Sequence, residues 1–188
     1  MWRLLLLLPV VAGLQSNVWF WGCYGGPSDC NIVPDAIERL LLADQPIATA
    51  ILPGFGHALR DDGTFTMPTE AAREAINRTR IRYAGKVQVK PQVDGCSSVQ
   101  AYRALIMNDT KADLFIQAFV EDALQYRYDG WNVDWEFGGF DHADEVAGAA
   151  FASKWGAALR AHNLTLSLSA GSSRNSNALV PDLTNTTA

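Results

Sequence analysis

The hydrophobic pattern of this chain switches repeatedly between two periods. Short apolar runs, several of which alternate with polar residues, predict β-strands, and longer stretches with apolar residues three or four positions apart predict helices. Strands are predicted over 17–24, 46–52, 86–93, 130–137 and 164–170. Helices are predicted over 34–43, 68–84, 97–106, 110–127 and 143–161, with the third and fourth forming a broken or paired helix. The strand–helix–strand order indicates parallel strands joined by crossover helices.

Two architectures are built from such units, an open doubly wound sheet and a (β/α)8 TIM barrel. No Gly-x-Gly-x-x-Gly follows a strand, so the dinucleotide-binding form of the open sheet lacks its signature. Acidic residues stand at the C-terminal end of the fourth strand, which is where a barrel places its chemistry. We therefore predict an α/β protein with a TIM-barrel domain over residues 17–188. Because a barrel has eight strands and five are predicted, we expect an incomplete barrel, the N-terminal part of a longer domain.

The first 16 residues predict a secretory signal peptide. Arg3 precedes an apolar run that is too short to span a bilayer, and small residues follow it. Cleavage is expected after Gly13 or Ser16. A buried N-terminal helix is the alternative, but Pro9 would break it. We expect a secreted protein, or one in a lysosome-like lumen, with no membrane attachment once the signal is removed.

The charge of the chain narrows its partners. The formal net charge is −5, and the sequence has no lysine-rich run or basic patch. Nucleic acid and anionic membranes are therefore not expected as partners. A neutral polysaccharide is compatible with this charge, although charge alone does not select it. We expect a monomer.

Export also gives a meaning to the cysteines and to four Asn-x-Ser/Thr triplets. Cys23 and Cys30 are close enough in sequence to form a disulfide after the first strand, which leaves Cys96 over unless it replaces one of them. The spacing does not suit zinc, and no metal or cofactor is predicted. The candidate N-glycosylation sites are Asn77, Asn108, Asn163 and Asn185.

Residues 129–136, Asp-Gly-Trp-Asn-Val-Asp-Trp-Glu, form the most informative segment of the chain. Side chains alternate between the two faces of a strand. One face then carries Trp131, Val133, Trp135 and Phe137. We expect its tryptophans to pack against helices in the core rather than to serve as platforms for sugars. The opposite face carries Asn132, Asp134 and Glu136, an amide and two carboxylates that no packing requirement explains.

Acids at alternate positions of one strand lie about 6.5–7 Å apart at Cα. Repulsion between such neighbours favours a proton on one of them, and a protonated carboxyl can donate to the leaving oxygen in acetal cleavage. Because both acids come from one strand, substrate assistance fits best: the 2-acetamido oxygen of the sugar attacks the anomeric carbon. Glu136 would protonate the glycosidic oxygen, and Asp134 would accept the acetamido N–H. Asn132 could hold Asp134 by a hydrogen bond.

This segment resembles the signature of family 18 glycoside hydrolases, the chitinases and their relatives, in which Asp-Gly-x-Asp-x-Asp-x-Glu ends the fourth strand of a (β/α)8 barrel. The resemblance implies hydrolysis of β-1,4-linked N-acetylglucosamine in chitin, chito-oligosaccharides or an N-glycan core. It makes Glu136 the catalytic acid and Asp134 the acetamido partner, and it puts Asn132 at the first acidic position. It also implies that Tyr24 and Asp129 bind substrate, although a structural role for Tyr24 is the alternative.

Three features depart from the family's pattern. Asn132 replaces the usual aspartate, a change similar to that in the di-N-acetylchitobiase and endo-N-acetylglucosaminidase branches, and it removes a carboxylate that could share a proton with Asp134. Residues 90–95, Lys-Pro-Gln-Val-Asp-Gly, stand where the family has Ser-x-Gly-Gly on its third strand. The family's sixth-strand Tyr/Asp pair and eighth-strand Trp have no counterpart. Two other functions stay open: a non-catalytic, lectin-like protein that binds chitin or oligosaccharides, and an inactive truncated fragment of a hydrolase.

The loop after the second strand holds the remaining candidates. His57 would either border the cleft or simply be exposed, as loop histidines usually are. Asp61 and Asp62 precede Gly63 and predict a turn.

Overall fold

Five parallel strands form a single sheet, and neighbours along the chain are neighbours in the sheet. This computed structural model describes residues 16–19, 47–52, 59–94, 98–135 and 139–168. The strands are β1 (Ser16–Trp19), β2 (Ile47–Leu52), β3 (Gln88–Asp94), β4 (Gly130–Asp134) and β5 (Thr165–Leu168). All the pairings between them are parallel, as the sequence predicts. Consecutive order is that of a TIM barrel, whereas a doubly wound sheet reverses its order at a switch point.

The described helices each begin at a polar residue that caps the backbone. They are α1 (Glu70–Arg82), α2 (Val99–Ile106), α3 (Asp109–Tyr126) and α4 (His142–Arg160). Their N-caps, each accepting a backbone N–H, are Thr69, Ser98, Asn108 and Asp141. The Asn108 cap starts a new helix two residues after α2 ends, which confirms the predicted paired helix.

Several predicted elements fall outside the described residues. These are most of the signal peptide, the helix over 34–43 and the far ends of the first, fourth and fifth strands. Of the predicted strand over 130–137, β4 covers residues 130–134, and its last described pair with β3 is that of Asp94 and Asp134. Among the helices that the structure describes, none is long and apolar enough to cross a membrane.

An aromatic core joins the sheet to the helices. Trp131 of β4 is fully buried, and its indole N–H donates to the carbonyl of Phe119 in α3 at 2.8 Å. The two rings pack edge to face at 4.8 Å between centroids, and Trp155 of α4 meets Phe119 at 5.5 Å. Each such pair adds about 0.5–1.5 kcal/mol to the energy of burial. The helices therefore cover the face of β4 that the sequence marks as apolar.

Pro91 lies inside β3, a position that its missing N–H makes unfavourable in a central strand. Among the described residues, the pairs of β3 with β2 run up to Leu52 and Pro91, and those with β4 start at Gln92 and Asn132. Pro91 is thus the last described residue of β3 that pairs with β2.

Gly130 begins β4 with a φ of +141°, a conformation that other residues rarely adopt. A Cβ atom at this position would stand 1.8 Å from the carbonyl oxygen of Thr165. Only glycine therefore allows β5 to lie this close to the start of β4.

Candidate functional site

The polar face of β4 is held by side chains from both neighbouring strands. Gln92 of β3 donates from Nε2 to Oδ2 of Asp134 at 2.7 Å. Ser167 of β5 donates from its hydroxyl to Oδ1 of Asn132 at 2.9 Å. The register places Gln92, Asn132 and Ser167 at the same height in the sheet. The structure thus brings two predicted site residues into a hydrogen-bonded row across three strands.

This face is enclosed, although its residues are polar. Asn132 is 1% exposed, Gln92 4% and Lys90 6%, and Thr49 of β2 is buried as well. Buried polar groups need partners, because an unsatisfied one costs about 1–3 kcal/mol. A row of amides, hydroxyls and carboxylates is a costly way to fill an interior, and it suits a surface that recognises a polar molecule.

Lys90 places a cationic group on the described part of this face. Burial lowers the pKa of its ammonium group, and the negative charge of Asp129 acts in the opposite direction. Lys90 stands two residues before Gln92, on the same side of β3. Its charge lies toward the start of the strands, because Gln92 pairs with Asn132 and the strands run parallel.

The opposite face of β4 is apolar throughout its described length. Trp131, Val133 and Trp135 are at most 2% exposed. The Trp135 ring meets Tyr102 of α2 edge to face at 5.8 Å and stacks on Phe151 of α4 at 6.0 Å. The prediction that the tryptophans pack against helices is confirmed.

Asp129 stands at the start of β4, away from the C-terminal end of the strand where Asp134 lies. Its carboxylate accepts the backbone N–H of Val89 at 2.8 Å and lies 3.6 Å from Arg80. Its carbonyl accepts both the backbone N–H and the hydroxyl of Thr165. Asp129 therefore ties β3 and β5 to β4, and this placement does not support the substrate-binding role predicted for it.

Arg103 of α2 fixes the chain that follows the acidic segment. It donates to both carboxylate oxygens of the fully buried Asp144, at 2.7 and 2.5 Å, and to the carbonyl of Gly139 at 3.4 Å. Asp144 also completes a capping box with Asp141 at the start of α4. The hydrogen bond from Arg103 holds the pKa of Asp144 below its ordinary value, although burial acts against it.

Several predicted site residues lie outside the described residues. Among them are the proposed acid, the tyrosine after the first strand, the loop histidine and the cysteines, namely Glu136, Tyr24, His57, Cys23, Cys30 and Cys96. In the parts of the chain that the structure does describe, no group of three acidic, histidine or cysteine side chains is placed to hold a metal ion. The roles predicted for these residues stay predictions.

The predicted turn at Gly63 and three of the four candidate N-glycosylation sites lie among the described residues. The predicted turn is present, since Gly63 donates its N–H to the Arg60 carbonyl at 2.8 Å and Asp62 accepts the Thr64 N–H at 2.9 Å. Asn108 and Asn163 are exposed, Asn77 is half-buried, and Asn185 lies outside the described residues.

Gln92 and Ser167 are site residues that the sequence prediction did not single out. The signal was present in part, because the alternation of the third strand puts Gln88, Lys90 and Gln92 on one polar face. What the sequence did not supply is the register, which decides that Gln92 meets Asn132 and Asp134 rather than solvent.

Comparison with known proteins gives a result at the level of the fold. No protein-family profile matches the sequence, and no curated protein matches it. The structure is similar to that of a chitinase from Chromobacterium violaceum ATCC 12472, with a TM-score of 0.58 and 19% identity over 82% of this chain and 44% of that one. It is similar to the Group IV chitinase of Ostrinia furnacalis, with a TM-score of 0.59 and 16% identity over 81% and 42%.

A third similar structure contains a saccharide. It is a mutant of the class V chitinase of Nicotiana tobaccum in complex with NAG4, with a TM-score of 0.59 and 13% identity over 82% of this chain and 43% of that one. The chain therefore spans less than half the length of these chitinases. The α/β fold of part of a chitinase barrel, as the resemblance to family 18 glycoside hydrolases implies, is confirmed.

Proposed function

We propose that this chain provides the acid-bearing half of an enzyme that hydrolyses β-1,4-linked N-acetylglucosamine glycosides. The observation that carries the proposal is Asp134, held beside Asn132 on the polar face of the fourth parallel strand by a hydrogen bond from Gln92. Two residues further along the chain stands Glu136, at the position of the acid in the family 18 signature that this segment resembles. The chitinase-like fold supports the same substrate class.

The proposed reaction proceeds in two steps with retention at the anomeric carbon. The acetamido oxygen of the sugar attacks that carbon while Glu136 gives its proton to the glycosidic oxygen, so the C1–O bond breaks and an oxazolinium ion forms. Asp134 accepts the acetamido N–H and its negative charge stabilises the cation. Water then attacks C1 and returns a proton to Glu136, which restores the acetamido group and the acid.

The proposed partner is an oligosaccharide or polysaccharide of N-acetylglucosamine, and the proposed location is the secretory pathway or beyond it. The complex of the class V chitinase with NAG4 supports this ligand class. The predicted signal peptide supports the route. A monomer suffices for the chemistry, since all three proposed site residues come from β4 and the residues directly after it.

The proposal is tested by hydrolysis of a fluorogenic chitobioside. Glu136→Gln should lower turnover by roughly 10²–10⁴-fold, the range that a lost general acid produces. The control is Glu74→Gln, which changes an exposed glutamate of α1 that pairs with Arg78 and should leave turnover unchanged. Turnover that survives Glu136→Gln would end the assignment of the acid. Binding of chitin beads by wild-type protein without product release would favour the lectin-like function instead.

A further inference from the structure

Gln92 of β3 donates a hydrogen bond to Asp134. Its Nε2 lies 2.7 Å from Oδ2 of Asp134, and its side chain is 4% exposed. An amide nitrogen can only donate, and an amide oxygen turned toward a carboxylate would be repelled by it. The amide therefore faces Asp134 with its N–H group.

A donor in this position favours the ionised acid. A carboxylate accepts a hydrogen bond from a neutral amide more strongly than a protonated carboxyl does, because the bond is then charge-assisted. Burial strengthens the effect, since the effective dielectric constant around an enclosed pair is lower than in water.

Asn132, which precedes Asp134 by two residues on β4, is held from the other side of the strand. Asn132 accepts at Oδ1 from Ser167, so its amide oxygen is engaged on the side of β5. Gln92 and Asn132 flank the polar face at the same height, and neither side chain has a titratable proton to exchange with Asp134. The amide on β3 thus orients Asp134 by a hydrogen bond, without sharing a proton with it.

We propose that Gln92 is a positioning residue that keeps Asp134 charged and aimed at the acetamido N–H of the bound sugar. This inference rests on the proposed function. It makes Gln92 a determinant of specificity for 2-acetamido sugars, because the charge it maintains is useful only when an oxazolinium cation develops beside Asp134. It also assigns a role to the third-strand segment that departs from Ser-x-Gly-Gly.

The first experiment compares three variants in chitobioside hydrolysis across pH. Gln92→Met removes the donor at similar volume, and Gln92→Glu is nearly isosteric but places an acid beside Asp134. Gln88→Met is the matched control, since Gln88 begins the same strand and is exposed. Gln92→Met should lower kcat roughly tenfold or more, as expected for a lost hydrogen bond to a charged group, with KM nearly unchanged.

The pH profile separates positioning from mere packing. Activity requires ionised Asp134, so the rise of kcat/KM on the acidic side should move to higher pH in Gln92→Met. The move should be larger in Gln92→Glu, because two adjacent acids retain a proton. Gln88→Met should follow the wild-type profile. An acidic limb that stays in place in both Gln92 variants would overturn the inference while leaving the proposed function intact.

A binding measurement adds a readout that does not depend on turnover. A chitobiose thiazoline mimics the oxazolinium intermediate, and calorimetry compares its affinity with that of plain chitobiose. Gln92→Met should lose roughly tenfold or more in affinity for the thiazoline and little for chitobiose. Equal losses for both ligands would overturn the inference. Wild-type protein that neither hydrolyses the chitobioside nor binds the thiazoline would instead overturn the proposed function.

Discussion

The charge of Asp134 is the property on which the proposed chemistry most depends. The carboxylate is half-buried and accepts a hydrogen bond from Gln92, so its position is fixed in the absence of a ligand. Preorganised charge of this kind usually supplies a large part of an enzyme's rate enhancement, because no reorganisation is needed during the reaction.

Asp134→Asn tests this charge directly. The amide keeps the shape of the side chain and can accept from Gln92 through Oδ1, so folding should be preserved. Loss of the charge should lower kcat on a chitobioside by about 10²–10³-fold. Asp113→Asn is the control, because Asp113 is exposed and pairs with Lys154 on the helix surface. Initial rates that fall less than tenfold would show that the charge of Asp134 is dispensable.

Gly130 gives a second prediction for a single residue. Gly130→Ala should reduce the free energy of unfolding by about 4 kcal/mol or more, because the added methyl group would collide with the Thr165 carbonyl. Gly85→Ala shares the problem of positive φ, at +75°, but nothing lies within 4 Å of the added atom. It should cost only about 1–2 kcal/mol. Urea unfolding of both variants measures the difference, and equal costs would contradict it.

For single residues, the sequence predicts which face of a strand a side chain lies on, but not which residues it contacts across the sheet. The alternation along β4 correctly separates Trp131 and Trp135 from Asn132 and Asp134, since a strand leaves each side chain only two directions. The same rule says nothing of what lies across the sheet. Asp129 belongs to the acidic pattern, yet its carboxylate accepts the backbone N–H of Val89 in β3.

The short helix α2 acts as a bracket for the segment that follows β4. Tyr102 packs on Trp135 at 5.8 Å and on Phe140 at 5.1 Å between ring centroids. Arg103, the next residue, holds Asp144 and the carbonyl of Gly139. One turn of helix thus contacts the chain both before and after residues 136–138.

The pairing of Arg103 with Asp144 predicts a pH-dependent stability. The pKa of Asp144 is lowered in the folded protein, so its contribution is present above the unfolded value of about 3.9 and is lost as pH falls through the folded value. Arg103→Met should therefore lower Tm at pH 7, and the difference from wild type should shrink at pH values below about 4. Thermal unfolding followed by circular dichroism measures both.

The control for this pH dependence is Arg78→Met. Arg78 and Glu74 form an exposed pair on α1, which should contribute less than about 1 kcal/mol. A Tm difference for Arg103→Met that is the same at pH 3 and pH 7 would show that Asp144 is not the group responsible.

Element boundaries divide into those that local signals determine and those that partners determine. The start of α3 was predictable because Asn108 is a strong cap, and the end of α2 follows from it. The pairing of Asp134 with Asp94 was not, because it depends on the register of β4 with β3. That proline is unfavourable inside a strand follows from its missing N–H, whereas the pairing of Pro91 with Leu52 follows only from the register.

At the scale of the molecule, the described part of the sheet has one aromatic face covered by helices and one enclosed polar face. The described strands follow one another in consecutive order, and the chain spans less than half of the chitinases that share its fold. This organisation was accessible from the sequence, because the alternation of strands and helices is strong. The contents of the polar face were less accessible, because its described side chains come from four strands at once.

Glycan attachment is a prediction that concerns the molecular surface. Asn108 and Asn163 are exposed, and the cap made by Asn108 uses Oδ1, which leaves the nitrogen that carries a glycan. Asn77 is half-buried, and the Thr79 of its triplet is 2% exposed. Secreted, folded protein should carry glycans at Asn108 and Asn163 and none at Asn77.

Mass spectrometry of glycopeptides after enzymatic release of N-glycans measures this occupancy, and N-terminal sequencing of the same sample locates signal cleavage. Secreted protein with an intact Met1, or with a glycan at Asn77, would contradict the prediction. The control is Asn163→Gln, which should lose one glycan and keep the one at Asn108.

Trp135 anchors the chain just after β4 to two helices. Its indole is wedged between rings of two helices, and the proposed acid is the very next residue. Moving the backbone at Trp135 would expose the indole to water, at a cost of about 3 kcal/mol. The ring of the proposed sugar ligand can pucker, so it should deform more easily than the backbone at Trp135. A rigid inhibitor already bent into the strained ring shape should therefore outperform a flexible one of the same composition.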